Sequence, residues 1–151
     1  MARTVVSVGF EIPGGKAKDT SLNSKASLLD YDVAIINPNI VAFYGYGEKY
    51  LGKPCLTDSQ SFELKEALGH WRREILQAVE AGKTVFLLLD TLQEVYVATG
   101  EKTYSGTGKN RQTNRFVTLE TNYALVPGAI EIVNAKGQSM QLLPRQINSA
   151  I

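Results

Sequence analysis

The stretch SQSFELKEALGHWRREILQAVEAGKTVFLLLD, residues 59–90, decides the fold of this chain. Its first part repeats apolar residues every three or four positions, which traces one face of a helix. These residues are Leu64, Leu68, Trp71, Ile75 and Val79. Its last part, TVFLLLD, is a short apolar run of the kind found in buried strands. A long helix that leads through a short turn into a buried strand predicts the second half of a β-α-β unit.

Both ends of the predicted helix carry capping residues. Asp58, Ser59 and Ser61 offer N-cap side chains at its start, and Gly82 suits the C′ position just past its end. Burial of each large apolar side chain stabilises by roughly 1.5–3 kcal/mol. We therefore expect the apolar stripe to hold the helix against a sheet.

Two further strands are predicted upstream of the helix. TVVSVGFEI, from Thr4 to Ile12, is rich in β-branched residues and ends at Pro13-Gly14-Gly15. YDVAIIN, from Tyr31 to Asn37, is almost continuously apolar, as expected of a strand covered on both faces. The polar stretch between them is predicted to be a loop with at most a short helix near its end. The order of strands and helix favours an α/β fold with a mostly parallel sheet.

The second half of the chain predicts antiparallel hairpins. EVYVAT and FVTLETNYALV flank the polar segment GEKTYSGTGKNRQTNR, which we expect to form a long hairpin tip. The tail AIEIVNAKGQSMQLLP fits a second hairpin that turns near Lys136-Gly137. Together with the first half, this predicts an α/β fold with one long helix, a mostly parallel sheet and an added antiparallel hairpin.

Length and composition narrow the functional classes. The 151 residues fit a single α/β domain over residues 1–151, and the same length fits the N-terminal part of a larger protein. The net charge of +1 provides no global field to attract nucleic acid or an anionic membrane. With one cysteine and one histidine, neither a metal site nor a cofactor is expected. The N-terminus lacks a signal-peptide pattern and no stretch has the length of a membrane helix, so we expect a cytoplasmic protein.

The ends of the predicted parallel strands offer candidate ligand-binding residues. Asn37 and Asn39 follow one strand and Asp90 closes the next, and ligands of open α/β sheets bind at the carboxyl ends of strands. Tyr44 and Tyr46 lie in the glycine-rich segment that follows, where they could stack on a ligand or a partner. In the alternative reading, Asn-Pro-Asn simply makes a turn and the tyrosines pack within their own loop.

The polar tip of the first hairpin offers a basic patch. Lys102, Lys109, Arg111 and Arg115 stand against Glu101, which leaves a local charge of 4 − 1 = +3. Such a patch predicts weak, salt-sensitive contacts with nucleic-acid phosphates. The alternative is a solvated hairpin tip without a partner.

Familiar catalytic and nucleotide-binding motifs are incomplete. GYGEKY has Tyr50 where a dinucleotide-binding fingerprint needs its third glycine, and SGTGKN lacks the first glycine and the Ser or Thr of a P-loop. Cys55 is predicted to be a buried structural residue, and His70 a surface or boundary residue. Asp30 and Asp32 are predicted to cap the segment before the second strand.

LLDYDVAIINPN, residues 28–39, and HWRREILQAVEAGKTVFLLLD, residues 70–90, resemble the core of flavodoxin-like and class I glutamine amidotransferase-like domains. The resemblance implies a three-layer, flavodoxin-like sheet. The amidotransferases carry their cysteine in a Gly-x-Cys-x-Gly turn and a downstream His-x-Glu. Cys55 lacks that turn and no histidine follows His70, so the resemblance implies the fold without the catalytic triad.

We therefore expect a non-catalytic domain that binds a ligand or a partner, since family members without catalytic residues commonly serve in binding. One alternative is an enzyme that acts on a nucleotide or sugar without a metal. Another is a nucleic-acid-associated module that uses the basic tip. Because only one long helix is predicted, part of the sheet should stay exposed and apolar. The expected partners are therefore a second copy of the chain or another protein, then a small molecule, and only weakly nucleic acid.

Overall fold

The computed structural model describes residues 3–43, 47–89, 92–125, 129–133 and 141–145, and only the backbone of Ala42 and of the last two segments. In chain order, its first strands are β1 (Val5–Val8), β2 (Lys18–Thr20), β3 (Val33–Ile36), β4 (Lys49–Tyr50) and β5 (Lys53–Pro54). The helix α1 (Asp58–Glu80) comes next. It is followed by β6 (Thr84–Leu87), β7 (Glu94–Ser105), β8 (Gln112–Thr121), β9 (Ala129–Val133) and β10 (Gln141–Arg145).

A four-stranded parallel sheet forms the centre of the fold. Its strand order is β2-β1-β3-β6, and every neighbouring pair is parallel. The β3–α1–β6 segment is the predicted β-α-β unit, in which the helix carries the chain back to start a parallel strand. The mixed α/β class, the parallel sheet and the added antiparallel hairpin are thereby confirmed.

The N-cap of α1 lies one residue before the first of the predicted caps. Thr57 is the N-cap, and it forms a capping box with Gln60 in which each side chain accepts from the other's backbone N–H. The prediction that Asp58, Ser59 or Ser61 caps the helix is wrong. Ser61 instead is buried, and its hydroxyl accepts a hydrogen bond of 2.9 Å from the Ala98 N–H.

The apolar stripe of α1 is mostly as predicted. Leu64, Leu68, Trp71 and Ile75 are buried, but Val79 is 46% exposed and Ala78 takes the core position at the end of the stripe. The helix ends beside Gly82, whose φ of +81° is that of a left-handed C′ residue. The Trp71 indole N–H donates to the carbonyl of Leu22, which satisfies its one polar atom.

One face of the parallel sheet packs under α1. Val6 and Val8 of β1 join Ala34 and Ile36 of β3 in the same core cluster as Trp71. These strand residues alternate with residues that face away from the helix. The register aligns Ser7 with Ile35 and Ile35 with Phe86 on that second face.

The second face is only partly covered. Val5, Val33 and Ile35 are half-buried, and Phe86 is 54% exposed. In the described part of the chain, α1 is the one α-helix, and it covers only the first face. No described helix is both long enough and apolar enough to cross a membrane.

The first strands depart from their predicted bounds. β1 ends at Val8, well short of the predicted Ile12, because Gly9 turns the chain at a φ of +85°. The following polar segment was predicted to be a loop, yet Lys18–Thr20 forms β2 at the edge of the sheet. With only three residues and two charges, β2 has no apolar alternation for a sequence pattern to detect.

The predicted first hairpin is present and its strands are longer than expected. β7 pairs with β8 through most of the polar segment, with an irregularity between Ala98 and Lys102. We call this pair the ribbon. Its inner half is in the core, where Val95 and Val97 are fully buried, while residues 99–114 are exposed. The hairpin is confirmed, but most of the predicted tip belongs to its two strands, and only residues 106–111 connect them.

The predicted second hairpin is also present. β9 and β10 pair antiparallel, with Ile132 opposite Leu142 and Ala129 opposite Arg145. The predicted turn at Lys136-Gly137 lies outside the described residues.

Candidate ligand-binding cleft at the carboxyl edge of the sheet

The carboxyl ends of β1, β2 and β3 converge at one edge of the sheet. The Gly9 N–H donates to the Thr20 carbonyl and the Asn37 N–H donates to the Val8 carbonyl, each at 2.9 Å. From β1 the chain goes on to β2 on one side, and from β3 it goes on through α1 to β6 on the other, so the connections diverge between β1 and β3. In open α/β sheets, this is the position where a crevice forms and ligands bind.

Gly9 allows β1 and β3 to stay close beyond their last paired residues. Its φ is +85°, and a Cβ atom at this position would lie 2.4 Å from the carbonyl oxygen of Asn37. Any other residue would have to move the backbone at the end of β3. Glycine is therefore required where β1 ends at this edge of the sheet.

An open cleft of about 380 Å³ lies at this edge. Its lining comes from the ends of all three strands and consists of Gly9, Phe10, Asp19, Thr20, Ser21, Leu22 and Asn39. The volume lies within the range of small-molecule sites, roughly 300–1,000 Å³. Asp19 is the one charged residue among these described residues, and its Oδ1 accepts a hydrogen bond of 2.7 Å from the buried Ser7 hydroxyl.

Asn39 lines the cleft and also holds its own turn. Its side-chain Oδ1 accepts from the Val41 N–H and from Gln93 Nε2, both at 3.0 Å. Its backbone N–H donates to the Asn37 carbonyl at 2.8 Å. The interpretation of Asn-Pro-Asn as a turn thus describes the backbone here, and Asn39 is also one of the residues that line the cleft. Asn37 is half-buried, and its side chain makes no hydrogen bond to another described residue.

Asn39 belongs to a polar network that the sequence did not predict. Gln93 accepts from the Ile40 N–H through Oε1 at 2.8 Å, and its backbone N–H donates to Oδ1 of the buried Asn122 at 2.9 Å. The Asn122 N–H donates back to the Gln93 carbonyl at 3.2 Å. The network joins the wall of the cleft to the base of the ribbon.

The other predicted ligand-binding residues, Tyr44, Tyr46 and Asp90, lie outside the described residues. Two neighbours of the tyrosines are described. Phe43 is half-buried against the core, and the Tyr50 ring packs edge-on against Tyr96 with centroids 5.0 Å apart. Neither of them lines the cleft.

The four basic residues of the predicted nucleic-acid patch form two pairs with different contacts. Lys102 and Arg115 both bind the Asp58 carboxylate, at 2.9 and 3.0 Å. Lys102 and then Arg115 lower the pKa of Asp58, and Asp58 in turn raises the pKa of Lys102. Arg111 lies over the Tyr104 ring, with its guanidinium carbon 4.3 Å from the centroid, and Lys109 is exposed nearby. Two of the four cations therefore anchor the ribbon to the start of α1.

Cys55 and His70 have separate structural partners. Cys55 is half-buried rather than fully buried as predicted, and Arg115 Nη2 lies 3.6 Å from its Sγ. A ring nitrogen of His70 lies 2.8 Å from the Ala26 carbonyl, which agrees with the predicted boundary position.

Asp32 links the starts of two strands. It accepts from the backbone N–H and the hydroxyl of Thr4, at 2.9 and 3.2 Å, so its predicted role as a cap of the preceding segment is wrong. The Thr4 backbone N–H is the main cause that lowers the pKa of Asp32.

Neither a metal site among the described residues nor a similar known protein points to a function. Over the described ranges, no three His, Cys, Asp or Glu side chains lie close enough to share a metal ion. Comparison with protein-family models, with curated proteins and with solved structures finds no match to the chain.

Proposed function

We propose that this chain is a binding domain that takes a small polar ligand in the cleft at the carboxyl edge of its sheet. The observation that carries the proposal is an open cleft of about 380 Å³ at the edge where the connections that follow β1 and β3 run to opposite sides of the sheet. Sites of this kind recur at that position because strand ends present backbone groups and short side chains to a crevice.

The lining favours a neutral or cationic ligand. Among the described residues that line the cleft, Asp19 is the only charged one, and neither Lys nor Arg is present. An anionic ligand such as a nucleotide would meet a carboxylate with no cation among these residues to oppose it. Hydroxyl and amide groups of Thr20, Ser21 and Asn39 supply hydrogen bonds, and Phe10 supplies an apolar wall. A polyol, a sugar or an amine of modest size suits this chemistry.

The finer parts of the fold assignment belong to the same proposal. The strand order, in which β1 and β3 are central, supports a three-layer, flavodoxin-like form. It also supports kinship with amidotransferase-like domains that lack the triad. A further layer over the half-covered face would complete such a fold. A binding role for the domain agrees with that kinship.

A fragment screen observed by amide NMR tests the proposal. A library of amines, sugars and polyols, with adenosine monophosphate as an anionic probe, is titrated into the labelled chain. We expect neutral or cationic members to shift the amide signals of Gly9, Phe10 and Leu22, and the nucleotide to shift them less.

A blocking variant shows whether such shifts arise in the cleft. Ser21→Tyr fills the opening from an exposed position, and Ser59→Tyr makes the same change at an exposed position on α1. The cleft variant should abolish the shifts at Gly9 and Phe10, and the helix variant should leave them unchanged. Shifts that survive Ser21→Tyr, or a library in which no member moves these signals, contradict the proposal.

A further inference from the structure

The two edge strands of the parallel sheet differ in how they are protected. β2 has three residues, of which Lys18 and Asp19 are charged and exposed. β6, at the other edge, reads TVFL and contains no charge. Its pairing with β3 continues to the Leu88 N–H, which donates to the Ile36 carbonyl at 2.9 Å. Short, charged strands prevent pairing with other chains, whereas an apolar edge invites it.

The free backbone groups of β6 follow from its ladder with β3. The N–H groups of Thr84 and Leu88 donate to the carbonyls of Asp32 and Ile36, at the two ends of β3. The alternation of the ladder therefore turns the N–H groups of Val85 and Leu87 outward. The carbonyls of these two residues point the same way. None of the strands that the structure describes pairs with this outer edge.

Apolar side chains flank the edge on both sides of the sheet. Phe86 and Leu88, 54% and 44% exposed, lie on the half-covered face. Leu76 and Val79 are exposed on α1. Their helical spacing places them on the same flank of α1 as Arg72, which donates to the Ala124 carbonyl. The opposite flank carries His70 and Glu74, which hydrogen-bond to the connection between β2 and β3. Leu76 and Val79 therefore lie on the flank of α1 that is nearer to β6.

We propose that the outer edge of β6 is a homodimer interface, in which two copies pair their β6 strands antiparallel about a two-fold axis at Phe86. The outward groups dictate this register, since Val85 must face Leu87 of the second copy for both to exchange hydrogen bonds. Phe86 then faces its own counterpart at the non-hydrogen-bonded position, where side chains are closest and aromatic pairs stabilise. The two sheets become one continuous sheet of eight strands.

The charges near β6 suit a second copy of the same strand. Lys83 is the nearest charged residue, and it lies 3.9 Å from Asp32 of its own chain. In the proposed register it is opposite Leu89 of the second copy, so no like charges meet. Self-complementary interfaces of this two-fold kind are the commonest among homo-oligomers. Because the strand pair is short, the buried area falls in the small class of interfaces, and the dimer is weak and concentration-dependent.

Sedimentation velocity of the full chain over a micromolar concentration series tests the dimer. Phe86→Lys opposes two like charges at the axis and should raise the dissociation constant at least about tenfold. Val85→Pro removes an outward N–H without touching the ladder to β3, and it should have the same effect. Phe62→Lys, at a 67% exposed phenylalanine on α1, is the matched control and should leave the constant unchanged.

Cysteine cross-linking tests the register. In a Cys55→Ser background, Phe86→Cys places two thiols on residues whose Cα atoms are about 4.5 Å apart, which suits a disulfide. Thr84→Cys, opposite Leu88 of the second copy, should not cross-link. A wild-type chain that stays monomeric throughout the series overturns the proposal. Equal cross-linking of the two variants, or a dimer that survives both Phe86→Lys and Val85→Pro, overturns it as well.

Discussion

At the scale of single residues, Gly9 is the position on which the cleft depends most directly. Gly9→Ala combines a left-handed φ with a Cβ 2.4 Å from the Asn37 oxygen, so we expect a loss of about 3 kcal/mol in the free energy of unfolding. Gly15→Ala is the matched control, because Gly15 has a φ of +68° and open space around it. It should cost about 1 kcal/mol. Equal losses in urea titrations would show that the close approach to Asn37 is not required.

Trp71 is the residue on which the helix–sheet core depends. Trp71→Ala should lower the free energy of unfolding by about 3–5 kcal/mol, because it creates a cavity beneath α1. It also removes the hydrogen-bond donor of the Leu22 carbonyl. Val79→Ala, at a largely exposed position, should cost less than about 1 kcal/mol. Chemical denaturation compares the two. The sequence predicted Trp71 and Val79 on one buried stripe, because the periodicity does not distinguish Ala78 from Val79 at the end of a helix.

At the scale of elements, the attachment of the ribbon to α1 depends on pH. The pKa of Asp58 is lowered by Lys102 and Arg115. The contribution of Asp58 to this attachment is therefore complete above the unfolded-state pKa, near 4, and is lost as the pH falls through the lowered folded-state value. The bond from Arg115 to the Leu56 carbonyl remains. We expect amide exchange at Lys102 and Arg115, corrected for intrinsic rates, to accelerate in acid. Asp58→Asn should show that acceleration at neutral pH, and Asp30→Asn, at an exposed carboxylate of the Leu28–Asp30 turn, should not.

The tip of the ribbon should tolerate substitution where its base does not. Lys109→Ala with Arg111→Ala removes exposed side chains, so the thermal midpoint should stay almost unchanged. Arg115→Ala removes bonds to the Leu56 carbonyl and to Asp58 and should lower the midpoint. A double variant that fails to fold would contradict the placement of the tip in solvent.

Elements were predictable from the sequence where one face of them is buried. The stripe of α1 and the apolar run of β3 carry that signal, whereas β2 and the outer ribbon are exposed and carry no alternation. The network of Asn39, Gln93 and Asn122 joins residues 54 and 29 positions apart. No local pattern reports such contacts. Asn37 and Asn39 lie at the carboxyl edge of the sheet, as their sequence position predicts. The contribution of Gly9 and Ser21 to that edge depends on the meeting of the β1 and β2 ends, which no local pattern reports.

At the scale of the whole molecule, burial is concentrated on one side of the sheet and at the base of the ribbon. The core cluster joins β1, β3 and α1 with Val95 and Val97 of β7, while residues 99–114 project into solvent. A two-stranded ribbon without a core is marginally stable by itself. The same pair of strands should therefore belong to two different units of stability.

Native-state hydrogen exchange in low urea tests this division along β7. The amides of the fully buried inner residues, Val95 and Val97, should exchange only with global unfolding where they are hydrogen-bonded. Those of Thr103 and Tyr104 should exchange by local opening, with little dependence on urea, because their opening exposes almost no new apolar surface. The comparison within one strand controls for pH and temperature. Equal, urea-dependent protection along β7 would mean that the outer ribbon is covered in solution, against its exposure in the single chain.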